Sequence, residues 1–346
     1  MKVSIIIPIY NKEKTLKRAA ESVLRQGLKQ EELELLLIDD GSTDGSLEIC
    51  QQLATEHPEV VKFFSKKNEG VGPTRNYGIF HSTGEYICFL DADDFLKDGG
   101  FRDFMDFFFS NQFDIISYYS TTVDDGHEET ALAKDIHGEV KYEATGHELL
   151  GKGECSNAVW NSWYRKDFLL NNSLLFEPIS YAEDLLFNIN VYHANPQIRQ
   201  TTSFIYVYVN YDGEGQLTKE RDIHKTTANV LDFVKIFERM GRVSEDMNGK
   251  NLPCDMETIF DKNLLMFTSR LLSSGITVKQ LSGIRKRLNK TGLNSKPGKS
   301  KKKTIAKVII NSGYAFPMFK YLYQKIFIPY VLPRIDRETG IISFKI

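Results

Sequence analysis

Residues Gly84 to Asp94, Gly-Glu-Tyr-Ile-Cys-Phe-Leu-Asp-Ala-Asp-Asp, run a strand-forming stretch, Tyr86 to Leu90, straight into three carboxylates. An unpaired carboxylate is costly to bury, so these acids are expected where the strand leaves the core. Side chains two apart on an extended strand point the same way, so Asp91 and Asp93 are expected to face one site together. Two hard oxygen donors at the end of a strand suit Mg²⁺ or Mn²⁺, which keep coordination positions for phosphate oxygens. Taken alone, an Asp-x-Asp is more often a polar turn that closes a strand. The surrounding sequence decides between the two.

Val3 to Ile9 reads as a buried strand that ends in Tyr10-Asn11, and Leu33 to Ile38 as a second that ends in Asp39-Asp40. Between them Ala19, Ala20, Val23 and Leu24 fall at helical spacing. After the second strand, Ser42, Thr43 or Asp44 is placed to cap a helix through Leu47, Ile49 and Leu53. Val60 to Phe64 is a third short strand, and a helix containing Arg75 precedes the strand that carries the aspartates. Such alternation predicts an α/β fold with a mostly parallel sheet and ligands at the strands' carboxyl ends. Tyr10, Asp39, Asp40, Arg75, Asp91 and Asp93 then converge on one edge.

Pro8-Ile-Tyr-Asn11, Ile38-Asp-Asp-Gly-Ser-Thr-Asp44, Asn68-Glu-Gly70, Arg75-Asn-Tyr-Gly78, Gly84-Glu-Tyr86 and Phe89-Leu-Asp-Ala-Asp-Asp94 follow one another in that order. Each motif alone is weak, but six in order at ordinary spacing are specific. Together they resemble a family 2 glycosyltransferase with the GT-A, Rossmann-like fold. A weaker match continues to about residue 215 through Trp160-Asn-Ser-Trp-Tyr-Arg165 and Tyr181-Ala-Glu-Asp-Leu-Leu-Phe187.

The resemblance implies inverting transfer of a sugar from a nucleotide diphosphate donor with Mn²⁺ or Mg²⁺. Pro8, Tyr10 and Asn11 belong to its first donor-binding motif, with Tyr10 stacked on the base. Asp40 would accept the base's ring N–H, and Asp39 and Arg75 would line the nucleotide and diphosphate region. Asp91 would lie near the ribose or a metal-bound water, or on the metal itself, which Asp93 would ligate. A stacking aromatic beside a carboxylate suits uracil or thymine, since cytosine lacks that N–H. Outside this context Tyr10 reads as a packing residue and Asp40 as an Asx turn before Gly41.

The acceptor hydroxyl needs a base. Tyr181-Ala-Glu-Asp184 resembles the family's Glu-Asp motif, which makes Asp184 the candidate base. A structural reading stands beside it: Ser180-Tyr-Ala-Glu183 fits a capping box, with Glu183 reaching back to the N-cap amide. At the start of a helix the dipole would hold Asp184 ionised. Trp160 and Trp163 either stack on a sugar face or pack. The family often closes over the diphosphate with a basic, serine-containing segment. Here the corresponding stretch, Tyr211-Asp-Gly-Glu-Gly-Gln-Leu-Thr218, has no arginine, which leaves Lys219, Arg221 or His224 as substitutes.

Other matches fall away. Gly146 to Gly153 nearly spells a P-loop, but position 153 is Gly where Ser or Thr must reach Mg²⁺; a short helix ending at Gly151 fits better. Gly70-Val-Gly72 begins a dinucleotide fingerprint, but Arg75 occupies the third glycine's place. Cys50, Cys88, Cys155 and Cys254 are widely spaced, which fits a reducing compartment and neither zinc nor a disulfide framework. Met1 to Ile9 is too short and too quickly followed by Lys12, Glu13 and Lys14 for a signal peptide. No apolar stretch reaches the roughly 18 residues of a membrane span.

The chain has 346 residues, 41% hydrophobic and 26% charged, ordinary for a globular protein. Its net charge of −2 hides an asymmetry. From Lys262 to Arg334 there are sixteen Lys and Arg and no acid, so the remainder carries −18. That asymmetry predicts an anionic partner. Arg285 to Lys303 reads as a basic linker, and Ile305 to Leu332 mixes aromatics with Lys307, Lys320 and Lys325, as a helix lying in a membrane interface does. The alternative is that the segment packs and its charges are solvated. No nucleic-acid module accompanies the charge.

The expected organisation is a GT-A catalytic domain over 1–215 and a mainly helical, basic region over 216–346. Helices are predicted over 222–242, burying Val230, Phe233, Val234 and Phe237, and over 257–273, running through Ile259, Leu264, Leu265 and Leu271. The expected activity is that of a hexosyltransferase using a UDP-sugar and a glycan or lipid-linked acceptor in bacterial surface polysaccharide synthesis. It is placed in the bacterial cytoplasm, peripheral to the inner face of the membrane. The competing readings are a sugar-nucleotide nucleotidyltransferase and a non-catalytic nucleotide-sugar binding protein. The first needs a glycine-rich basic loop after the first strand, which Pro8-Ile-Tyr-Asn-Lys12 is not. The second could lose Asp184.

Overall fold

β1 (Val3–Ile9), β2 (Leu33–Asp39) and β4 (Tyr86–Phe89) are buried along their whole length, which is why they read as unbroken apolar runs and not as alternating ones. With β3 (Val61–Ser65) they form the parallel order β3-β2-β1-β4. The crossovers are α1 (Leu16–Leu24), α2 (Ser46–Glu56) and α3 (Val71–His81). From β1 the chain moves outward to β3, then returns to place β4 on β1's other side. The strand order therefore reverses between β1 and β4, and ligands bind in the crevice outside the carboxyl ends of such a switch point. Tyr10 follows β1 and Asp91 follows β4.

Three local features shape this edge. The β4 ladder on β1 ends at Ile6 opposite Phe89, so Pro8, which lacks an N–H, sits where one side of β1 is already free. A Cβ on Gly78 would lie 2.5 Å from Ile6 Cγ2; only glycine lets α3 approach β1 this closely, and Arg75 comes with it. The helix after β2 is not capped by Ser42, Thr43 or Asp44 as expected. Its N-cap is Gly45, and Asp44 serves instead as acceptor for the Ser46 N–H at 3.0 Å.

Beyond β4 come β5 (Phe95–Leu96), α4 (Gly100–Phe108), β6 (Ile115–Asp124), β7 (Val140–Thr145), α5 (Gly146–Gly151), β8 (Ser162–Arg165), α6 (Lys166–Asn171), α7 (Glu183–His193) and β9 (Gln197–Asn210). The parallel arrangement expected from the sequence describes β1 to β4. From β8 onward the sheet is mixed: β4–β8, β6–β8, β5–β9 and β7–β9 are antiparallel, and β6–β9 is parallel. The core under β1, β2 and β4 includes Leu16, Ala19, Ala20, Val23, Phe101, Phe104 and Trp163.

This computed structural model describes residues 2–108, 113–127, 138–211, 222–293 and 301–325. Its chain separates into two compact units, Met1–Leu150 with Cys155–Gly213, and Gly151–Glu154 with Glu214–Ile346. The second unit is helical: α8 (Ile223–Gly249), α9 (Met256–Ser273), α10 (Val278–Lys290), α11 (Lys301–Asn311) and α12 (Phe316–Leu322). Asp222 caps α8 through the His224 and Lys225 N–H groups, and Thr277 with Gln280 forms a capping box on α10. Phe233 and Phe237 of α8 pack on Phe260 and Phe267 of α9. Val230, Phe233, Val234 and Phe237 are buried as expected; on α9, Ile259, Leu264 and Leu271 are buried and Leu265 is 42% exposed. Among the described residues no helix is long and apolar enough to cross a membrane.

Candidate active site

The site begins with two interlocked loops. Asn11, at φ 52°, turns the chain after β1 in a left-handed conformation that asparagine tolerates. Its N–H donates to Ser42 Oγ at 3.0 Å, and its Oδ1 accepts from the Thr43 N–H at 2.8 Å. The Lys12 N–H donates to Ser46 Oγ at 2.8 Å. The loop after β1 is thus pinned to the loop after β2, and Tyr10 is left 48% exposed at the strand end. That is where a stacking ring is useful. Pro8 is buried in the strand, and Asn11 spends both its N–H and its side-chain Oδ1 on holding the two loops together.

Asp39 lies beneath the site and does not line it. It is buried, with Oδ1 accepting from the Ser42 N–H at 3.0 Å and Oδ2 from Ser65 Oγ at 2.8 Å. Asp40 is also buried and shapes the turn before α3. It accepts from Lys66 Nζ at 2.5 Å, from the Glu69 N–H at 3.0 Å and from the Gly70 N–H at 2.8 Å. A carboxylate has about four lone-pair sites, so one is left for a further donor. Burial disfavours the Lys66 ammonium, but Asp40 and Glu69 outweigh it and hold its pKa above the usual value.

The centre of the site is Arg75. It is 2% exposed, and its guanidinium reaches three acids: Asp91 Oδ1 at 2.9 Å, Glu183 Oε1 at 2.9 Å and Asp184 Oδ1 at 2.6 Å. The resemblance implies that Arg75 lines the nucleotide and diphosphate region; in the structure its guanidinium is buried and gathers carboxylates from the loop after β4 and from α7. The capping box also fails. α7 starts at Glu183, later than a box from Ser180 requires, with Ala182 in the left-handed region at φ 56° and no side-chain cap. Glu183 has turned to Arg75. Asp184 does sit in the first turn of α7, with Oδ2 3.3 Å from the Val159 N–H. The helix dipole does not decide its state. Burial, reinforced by Glu183 and Asp91 against the pull of Arg75, pushes its carboxyl up to about 8.

The three acids after β4 separate into different tasks. Asp91 pairs with Arg75. Asp93 accepts from Lys12 Nζ at 2.5 Å through Oδ2, while its carbonyl accepts from Arg18 Nη2 and from Tyr211 OH, both at 2.8 Å. Asp94 is buried, contrary to the expectation that all three acids sit outside the core. It is satisfied by Tyr206 OH at 2.5 Å and the Val209 N–H at 2.8 Å. Burial, with Asp91 and Asp93 nearby, holds its carboxyl well above the usual range.

Trp160 is half-buried, with one face stacked on Tyr206 at 4.3 Å and 20°. Trp163 is wholly buried among Phe101 and Phe104, so of the two only Trp160 remains available to a sugar. Of the substitutes for a closing element, Lys219 and Arg221 lie outside the described residues. His224 is in the first turn of α8, where its N–H meets Asp222. The sequence reading missed Lys12, Arg18 and Lys66. A lysine in a loop carries no signal until the carboxylate across from it is known.

A divalent cation fits this donor set in one way. Among the described residues no group of three or more His, Cys, Asp or Glu could hold a metal ion. Mg²⁺ ordinarily takes only one or two carboxylates and fills its shell with water and substrate phosphates. Asp93, partly exposed and already holding a cationic group, matches that pattern, and Asp91 is two residues away.

Residues 4–171 match the profile of glycosyl transferase family 2. Among curated proteins, the chain is similar to the minor teichoic acid biosynthesis protein GgaB of Bacillus subtilis, 40% identical over 116 residues, or 33% of this chain and 13% of that one. It is 29% identical over 217 residues to the poly(ribitol-phosphate) beta-glucosyltransferase of Bacillus spizizenii, covering 62% of this chain and 33% of that protein. The chain thus spans a third or less of the length of these two relatives. Among solved structures, S. aureus TarS 1-349 in complex with UDP-GlcNAc matches with a TM-score of 0.59 and 19% identity, over 100% of this chain and 97% of that one. The fold is that of the GT-A glycosyltransferase structures it matches, and the resemblance to glycosyl transferase family 2 extends over residues 4–171.

Proposed function

We propose that the chain is an inverting hexosyltransferase that moves a sugar from a UDP-sugar to a polyol-phosphate or lipid-linked glycan acceptor in bacterial surface polymer synthesis. The observation that carries this reading is the Arg75 cluster. It holds an acidic group, Asp184, at the edge where Tyr10 and Asp93 offer a base platform and a cation ligand. Tyr10 stacks on uracil, and the remaining acceptor site of Asp40 takes the imide N–H. Asp184 removes the proton of the acceptor hydroxyl. The oxygen then bonds to the anomeric carbon as the bond to the diphosphate oxygen breaks, and the electron pair leaves with UDP. Asp93, with Asp91 two residues away, would hold Mn²⁺ or Mg²⁺, which would supply charge neutralisation at the diphosphate. Burial of Asp184 makes it a stronger base than an exposed aspartate, near the working pH. Trp160 offers its free face to a sugar ring.

The relatives support the donor and acceptor classes by their names: a UDP-GlcNAc complex in one case, a poly(ribitol-phosphate) substrate and a β-glucosyl product in another. A β product from an α-linked nucleotide sugar requires inversion. The same reading places the enzyme in the bacterial cytoplasm, peripheral to the membrane. The second unit exposes Ile305, Val308, Tyr314, Met318 and Tyr321 on α11 and around α12, and Leu265 on α9, within the acid-free basic stretch. Apolar side chains amid lysines suit a surface of anionic lipid. The test of the activity is a panel of nucleotide sugars, read by thermal shift with Mn²⁺ and by transfer to poly(ribitol phosphate). Stabilisation by UDP-sugars above the GDP- and CDP-sugars supports it. Formation of a nucleotide sugar from a sugar phosphate would replace it with nucleotidyl transfer.

A further inference from the structure

We propose that Lys12 is an internal counter-cation that holds Asp93 until a donor diphosphate arrives, and that it thereby couples divalent-cation binding to donor binding. This rests on the reading of Asp93 as a cation ligand.

Both partners have their backbones held in place. Lys12 leaves a loop set by the left-handed Asn11, and its own N–H is tied to Ser46 Oγ. The Asp93 carbonyl is gripped by Arg18 and Tyr211. The ammonium and the carboxylate meet at 2.5 Å with side chains 27% and 21% exposed, so the pair is shielded more than an ordinary surface ion pair. Asp91 is held by Arg75 at 2.9 Å. In the donor-free chain each acid of the Asp-x-Asp therefore already has a cationic partner. A divalent ion arriving alone must push the Lys12 ammonium off Asp93 and then sit beside it. A diphosphate changes that balance. Its oxygens accept from the ammonium, which swings on a flexible four-carbon stem, and they complete the shell of the ion on Asp93. Each ligand then favours the other by the same factor.

The experiment is a titration of full-length protein with Mn²⁺, read by the electron paramagnetic resonance signal of the free ion, with and without UDP. Wild type is expected to bind Mn²⁺ alone weakly, and UDP to tighten it by roughly tenfold or more. Lys12→Met is expected to bind Mn²⁺ alone about fivefold or more tightly than wild type, with a smaller gain from UDP. Lys12→Gln, which keeps a polar side chain without charge, is measured beside it, and circular dichroism melts check that both fold. If both variants bind Mn²⁺ alone no better than wild type while wild type still shows the gain from UDP, Lys12 is not the coupling group. Tight binding of Mn²⁺ to wild type without UDP overturns the proposal as well. If Asp93→Ala binds Mn²⁺ with UDP as wild type does, the ligand reading of Asp93 falls, and the proposal falls with it for a different, identifiable reason.

Discussion

Replacing Asp184 by Asn tests the proposed base separately from folding, because the structure makes that change cheap for the fold. Asn keeps the shape of the side chain and an oxygen to accept from the Val159 N–H or from Arg75. Arg75 retains Asp91 and Glu183, both at 2.9 Å. Burial already pushes the Asp184 carboxyl up to about 8, so a neutral group at this position is close to what the fold prefers. The expected loss of stability is about 1 kcal/mol, a Tm change of about 2–4 °C. With Asp184 as the proposed base, transfer is expected to fall roughly 10²–10⁴-fold. The assay is initial-rate transfer from a UDP-sugar, with UDP affinity measured by calorimetry on the same preparation. Affinity should stay within about twofold, because the group acts on the acceptor's proton. Transfer within about tenfold of wild type refutes Asp184 as base and moves the search to Glu183. A parallel loss of UDP binding would instead make Asp184 a donor contact.

Arg75→Met leaves three gathered acids without their cation, and it is expected to cost about 3–5 kcal/mol, a Tm drop of about 10 °C in a thermal melt; an unchanged melt would remove Arg75 from its structural role. The pH profile follows from the raised carboxyl of Asp184. A base works deprotonated, so kcat/KM should rise with pH and level off above a midpoint near 8, and a midpoint near the ordinary value of about 4 would contradict its burial. The linked stability has the opposite sense. The folded state holds this proton more tightly than the unfolded chain does, so the contribution is present at low pH and is lost as pH climbs from about 4 through the raised value. Finally, Ile305→Glu with Tyr321→Glu alters exposed side chains only. The pair should leave the melt unchanged while abolishing co-sedimentation with anionic vesicles at low salt. Equal sedimentation of variant and wild type would mean that these helices do not touch lipid.

The strands and their exposed ends were legible from the sequence because local pattern determines them. Val3–Ile9 and Leu33–Asp39 are apolar runs, and Tyr10 and Asp93 follow strands that the runs delimit. What stayed hidden depends on partners far along the chain. Asp91, Asp93 and Asp94 look alike in sequence. Only Tyr206, 112 residues from Asp94, shows which one turns into the core. Glu183 carried a capping signature, yet Arg75, 108 residues away, claims it. Arg75 stands out in the sequence as a candidate site residue, but its burial among three acids does not, since charge alone suggests a surface role. The insertion of β8 antiparallel beside β4 is likewise a tertiary choice, invisible to strand periodicity.

The central claim is a single displacement in which Asp184 activates the acceptor on the face opposite the departing diphosphate. The most direct measurement is the anomeric configuration of the first product formed from a UDP-α-sugar, read by proton NMR before any equilibration. A β-linked product is predicted. An α-linked product from the wild-type chain would contradict the account, because one displacement across the anomeric carbon cannot retain configuration.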